Sequence, residues 1–221
     1  MTRLQILNTV KRRLNKSTTA TDSDARLLEF INETHRAVLS ESGMETLRRT
    51  TPSTFPSVDG TPNYTISTIA RVNRVWETTN DRRLEEISLD RYRSIDVDPT
   101  SNKGTPYAYA WATTGVSSVT LFLTPCPSSA ISYSVDGLSV IADLSADATE
   151  PQLPLDFHDI LVYGALSREY EHLDDKRLHV AETRYAERVR KLKHWLAETD
   201  TGTHSGQTER SRFNGGFYPA R

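Results

Sequence analysis

Proline placement constrains this chain most, because a proline removes a backbone donor and clashes with the preceding turn of a helix. Of ten prolines, none falls in residues 1–50, seven lie between Pro52 and Pro127, Pro151 and Pro154 follow, and Pro219 is the last, which leaves 155–218 free of proline. Long helices are therefore open to the two ends, and strands and turns to the middle. The reading is an α+β chain: a discontinuous helical bundle from 1–50 and 151–198, an inserted antiparallel sheet or sandwich over 51–150, and an extended, flexible C-terminal tail over 199–221.

Hydrophobic period supports the division. Leu4, Leu7, Val10 and Leu14 recur at helical spacing, and Lys11, Arg12, Arg13 and Lys16 crowd the end of that helix, where cations suit its dipole. Asp22 or Ser23 can cap a second helix, whose stripe Leu27, Leu28, Ile31, Val38 and Leu39 ends near Gly43. From there the period drops to two. Tyr64 and Ile66 alternate with polar residues, Val72 and Trp76 flank Arg74, and Tyr107, Tyr109 and Trp111 alternate with alanines. Val119, Leu121 and Leu123 share one face, as do Ile131, Tyr133 and Val135. Asp136-Gly137 reads as a two-residue hairpin turn into Leu138 and Val140, and Ser88 to Ile95 as a helical turn. After the irregular stretch 145–152, Asp156 is expected to cap a helix buried through Leu161, Val162, Ala165, Leu166 and Tyr170. Asp174-Asp175 then opens a last helix with rows Leu178, Tyr185, Leu192 and Val189, Leu196, antiparallel to the one before.

Charge and composition narrow the function. The net charge is −2, but residues 1–50 carry +3, 51–150 carry −5 and 151–221 carry 0, so only a local basic patch is on offer and a free-standing nucleic-acid binder is disfavoured. No stretch approaches the ~18 apolar residues of a spanning helix, and the first residues do not read as a signal peptide, so synthesis in the cytoplasm is expected. The lone Cys126, in Thr124-Pro125-Cys126-Pro127, permits no intrachain disulfide and has no histidine nearby in sequence to activate it.

Catalytic patterns are missing throughout. His35, His158, His172, His179, His194 and His204 show no metal-ligand spacing, and are expected mostly on helix surfaces; His158 and Asp159 read as a helix start. Asp96-x-Asp98 lacks the glycine and later ligands of a calcium loop. No catalytic, cofactor-binding or metal-ligating residue is assigned, and no cofactor is expected. The candidate contact residues are three sets. Tyr107, Tyr109 and Trp111 could stack sugars or bases, or form the inner face of a sheet. Lys11, Arg12, Arg13 and Lys16 could meet DNA phosphates or an acidic partner, or be solvated. Arg210, Arg212, Phe213, Phe217 and Tyr218 put interface-type residues into a glycine-rich tail.

The arrangement as a whole resembles the head-to-tail adaptor proteins of tailed bacteriophages, also called connector or head-completion proteins. The resemblance runs over most of 22–198 and is carried by the helix Arg26 to Glu33, Gly104-Thr105-Pro106, the strand Val119 to Leu123 closing with Thr124-Pro125, and Leu153-Pro154-Leu155-Asp156-Phe157-His158-Asp159 continuing through Tyr163-Gly164-Ala165-Leu166 and Asp174-Asp175. Leu153, Pro154, Asp156 and Phe157 are its structural core. The resemblance implies a non-enzymatic virion subunit at the head-tail junction. There it would form a homo-oligomeric ring, twelve-fold in the implied form, beneath the portal, extend the channel for packaged DNA, which it would touch without sequence preference, and meet the next neck or tail protein. No membrane is involved. An extended C-terminal segment of such proteins reaches the portal, and residues 199–221, with Arg210, Arg212, Phe213, Phe217 and Tyr218, fit that role in position and composition. A DNA-binding packaging factor and a carbohydrate-binding tail or baseplate module are the alternatives.

Overall fold

The computed structural model describes residues 1–19, 21–49, 52–67, 69–95, 98, 100–114 and 118–208, and of 200–208 the backbone alone. Its α-helices are α1 (Arg3–Arg13), α2 (Asp24–Ser40), α3 (Leu89–Ile95), α4 (Asp159–His172) and α5 (Leu178–Thr208). The strands are β1 (Ser53–Pro56), β2 (Asn63–Ile66), β3 (Ile69–Glu77), β4 (Arg82–Arg83), β5 (Glu85–Glu86), β6 (Lys103–Gly104), β7 (Ala108–Thr113), β8 (Val119–Thr124), β9 (Cys126–Pro127) and β10 (Ser132–Ser139). The chain divides into a helical unit, 1–47 with 143–221, and a sheet unit, 48–142. Among the described residues no helix is long and apolar enough to cross a membrane.

In the sheet unit, strand order is β1-β10-β3-β4 in one sheet and β2-β8-β7-β5 in the other. Pairing is antiparallel except for the two-residue ladders β5 with β7 and β6 with β9, which are parallel. The period-two residues meet between the sheets: Val119, Leu121 and Leu123 of β8, Tyr109 of β7, Val72 and Val75 of β3, and Tyr133 and Val135 of β10 form one buried cluster. Strand β7 is buried on both sides, because α3 lays Tyr92 against Ala108 and Ala110. Those alanines are small so that the helix can approach.

Two local expectations are corrected here. Asp136-Gly137 is not a hairpin turn but lies inside β10, where the register against β3 shifts at a bulge. Gly137 is required for close approach: a Cβ there would stand 2.2 Å from the Arg71 carbonyl oxygen and 2.7 Å from the Ile69 Cγ2. The same irregularity moves β3 out of strict alternation, so Val75 joins Val72 in the core while Trp76, placed with Val72 by the period, stays half-buried. One slipped residue exchanges the faces of a strand.

In the helical unit, α1 opens on a reciprocal cap: the Thr2 hydroxyl accepts from the Gln5 backbone N–H and the Gln5 side chain accepts from the Thr2 backbone N–H. Its buried row is Ile6, Leu7, Val10 and Lys11, and Leu4 points outward at 42% exposure, so the expected stripe is rotated. The row of α2 extends the expected one through Thr34 and His35, while Leu28 is only half-buried. Helix α2 crosses α4 closely: a Cβ on Gly164 would fall 2.2 Å from the Thr34 Cγ2. Every residue expected on the buried side of α4 is buried there. Asp159 pairs with Arg188 at 2.8 Å and the Arg177 guanidinium lies 4.6 Å over the Tyr170 ring, so α4 and α5 run antiparallel.

Asp156 is not the cap of α4. It sits exposed in a 3₁₀ turn, Leu155–Phe157, and the N-cap position belongs to His158, whose side chain makes no capping bond. Helix α5 continues to Thr208, beyond the start of the tail expected at 199, because loss of apolar period removes packing but not a helix's own backbone bonds.

Candidate interaction surfaces

The four cations Lys11, Arg12, Arg13 and Lys16 share a helix end by sequence, yet the fold separates their roles. Lys11 is buried and paired with Asp24, and its ammonium also donates to the Thr18 carbonyl at 3.4 Å. Lys16 reaches Glu169 at 3.0 Å. Arg13 stacks 4.4 Å over the Tyr163 ring. Arg12 is exposed and donates to the Asn8 carbonyl at 3.3 Å. Half of the patch therefore holds α1 and its following loop to α2 and α4, and what remains outward is two guanidinium groups rather than a four-charge cluster.

Glu169 is the hub of that arrangement and the residue that sequence reasoning passed over. Its carboxylate is fully buried and accepts from Lys16 Nζ at 3.0 Å, Arg26 Nε at 3.0 Å and Arg26 Nη2 at 2.8 Å. Burial pushes its pKa up, but the bonds from Arg26 and Lys16 outweigh burial and hold the carboxyl below its ordinary range. The hydrogen bond to Glu169 in turn raises Arg26. A signal existed: Glu169 lies three residues after Leu166, inside the apolar row of α4, and a charge in such a row demands partners.

Of the histidines, expected mostly on helix surfaces, two are interior. His35 is fully buried and its Nε2 accepts from the Gln152 backbone N–H at 3.3 Å. His158 donates from Nε2 to the Leu153 carbonyl at 2.8 Å, which leaves Nδ1 to face the Met1 nitrogen at 2.6 Å. This pins the motif Leu153, Pro154, Asp156, Phe157: Leu153 is buried, Pro154 leads into the 3₁₀ turn, and Phe157 packs 5.9 Å from the Trp195 ring. His172, His179 and His194 are exposed. Among the described residues no group of His, Cys, Asp and Glu could hold a metal ion. Cys126 is buried in β9.

The aromatic row splits as well. Tyr109 is 1% exposed, in the sandwich core, and its hydroxyl is pushed up to about 12 by burial and by Glu86 beside it. Trp111 packs on the same core and donates from Nε1 to Glu86 at 3.0 Å. Tyr107 alone of the three stands out, at 51% exposure. No three-ring platform for a sugar or base is formed.

Concave surfaces lie elsewhere on both units, and three of them bear on contact. On the sheet unit a cavity of about 320 Å³ is lined by Arg74, Trp76, Asp81 and Arg83. On the helical unit Arg190, Lys191, His194, Trp195 and Glu198 of α5 line one of about 500 Å³. A third, of about 350 Å³, is an apolar groove between the end of α1, α4 and the start of α5. Arg210, Arg212, Phe213, Phe217 and Tyr218 lie outside the described residues.

The chain matches, over residues 1–211, the model of a family described as SU10 adaptor protein. No curated protein matches it.

Proposed function

Because this chain belongs to the SU10 adaptor protein family, a structural family of phage head-to-tail adaptors and not an enzyme family, we propose that it works as a ring of identical subunits beneath the portal. The family makes it a neck protein of the virion, placed at the head-tail junction with portal and tail proteins as neighbours. In the proposed assembly twelve copies extend the channel through which DNA passes, the DNA being touched without sequence preference, and the residues after Thr208 dock on the portal. The observation that carries this reading is the span of the family match, which takes in both units and reaches Ser211.

The physical chemistry agrees with a subunit built for contact rather than turnover. The buried histidines His35 and His158 and the buried carboxylate Glu169 are held by internal hydrogen bonds and ion pairs, while apolar side chains such as Leu155, Val180 and Leu173 remain in solvent at 69%, 61% and 51% exposure. A tail segment that orders on its partner meets the entropic cost at that moment, so assembly waits for the portal, and many weak contacts around a ring then hold together. Truncation after Thr208 tests the docking: the helical content should be kept and binding to the portal lost. A truncated protein that binds its portal as tightly as the full chain would overturn the role given to Arg210, Arg212, Phe213, Phe217 and Tyr218.

A further inference from the structure

Apolar patches stand at opposite ends of the α4–α5 pair, and they are complementary. At the end where α4 passes into α5, the groove is walled by Tyr163, Tyr170 and Val180, with Arg13 and Arg177 on its rim. Both guanidinium groups are stacked on tyrosine rings, Arg13 on Tyr163 at 4.4 Å and Arg177 on Tyr170 at 4.6 Å. Arg177 is also held by the Asp175 carboxylate, at 3.0 Å through Nε and 2.6 Å through Nη2. Arg13 has no acidic partner among the described residues, so the groove presents apolar surface beside one uncompensated cation.

At the other end lies the opposite pattern. Leu155 is the most exposed of the large hydrophobic side chains described, at 69%, and the next residue, Asp156, is exposed with no partner among the described residues. The turn that carries them is not loose: Pro154 precedes it, His158 bonds back to Leu153, and Phe157 rests on Trp195. Leu155 is a knob on a braced turn, with a carboxylate at its side. Val58-Asp59 has a similar composition, but Asp59 is taken by Lys103 at 3.0 Å. Leu173-Asp174 sits in the turn beside the groove, so its use would join two copies by like ends.

We propose that the groove receives a second copy of this chain, head to tail: Leu155 of one copy enters between Tyr163, Tyr170 and Val180 of the next, and Asp156 pairs with Arg13. Such a contact is heterologous, so it repeats from copy to copy and closes into a ring when the rotation allows. It deepens the ring reading above by naming the contact between subunits. One leucine and one ion pair make a small interface, so association of the free chain falls in the millimolar range and becomes durable only when copies are aligned on a common base.

Sedimentation of the full chain, raised to millimolar concentration, tests the contact with two single variants at exposed positions, Leu155→Glu and Val180→Glu. The wild type should associate beyond dimers, and each variant alone should lose association at least tenfold with an unchanged circular-dichroism spectrum. Mixed in equal amounts, the two variants should recover association but stop at dimers, because one intact knob meets one intact groove and nothing remains to extend the pair. Exchanging charges, Arg13→Glu mixed with Asp156→Arg, should likewise restore association that each lacks alone. A wild type that stays monomeric, a single variant that associates like it, or a mixture that fails to recover or grows past dimers would overturn the proposal; the last would favour joining by like ends. A ring that still forms on the portal from Leu155→Glu refutes this contact alone. Head-to-tail association in solution without any ring on the portal refutes the ring reading alone.

Discussion

The two units are stabilised by different chemistry. The sheet unit is an apolar sandwich whose centre is Leu121, Val119, Val135 and Tyr109, with its charges kept on the outside or, like Glu77, at its margin. The helical unit places a lysine and a glutamate, Lys11 and Glu169, among its most buried side chains and closes itself with ion pairs. Packing volume governs the first, and paired charge governs a large part of the second. Shape specifies where β-strands lie, whereas the ion pairs specify how the end of α1 and its following loop meet α2 and α4.

The sharpest break of that contrast is in the sandwich. Replacing Leu121 by alanine should cost about 3–5 kcal/mol in a urea titration, because a fully buried side chain leaves a cavity that two sheets cannot collapse around. Gly137→Ala should cost about 3 kcal/mol, since its Cβ meets backbone rather than a movable side chain. A loss below about 1 kcal/mol would mean that β10 can slide past β3 and that the bulge is soft.

In the helical unit the equivalent test changes charge at constant volume. Glu169→Gln should cost about 2 kcal/mol, less than Leu121→Ala, because Lys16 and Arg26 are only partly buried and regain water when the carboxylate is lost. The pH dependence follows from the sign of the shift. A carboxyl held below its ordinary range contributes stability that is fully present above the unfolded value of about 4.3 and is lost as pH falls through the lower folded value. Thermal melts of the wild type should therefore lose stability more steeply below that point than melts of Glu169→Gln. Parallel acid limbs for the two proteins would show that the buried carboxylate does not govern this unit. The smallest effect is expected at Tyr107, where alanine should change stability by less than about 0.5 kcal/mol, against a large loss for the same change at Tyr109.

What was legible in the sequence follows the same line. The class, helices flanking antiparallel strands, could be read from proline and period, and so could the inner face of β8, because alternation needs no knowledge of the partner strand. Leu4 and Asp136-Gly137 could not. A lysine stem can replace a leucine in a buried row, as Lys11 does, and an Asp-Gly pair suits a bulge as well as a turn until the strand opposite is known. The ionic hub was hidden by distance, since Lys16 and Glu169 are 153 residues apart and Arg26 and Glu169 143 apart. The basic patch was visible as composition, but its division between interior pairs and outward guanidinium groups depends on those remote carboxylates.

Assembly on the portal is tested most directly by electron cryomicroscopy of this protein mixed with its own portal. A closed ring of copies seated on one end of the portal, coaxial with its channel, is the expected result. Portal particles that remain bare at saturating protein would contradict it.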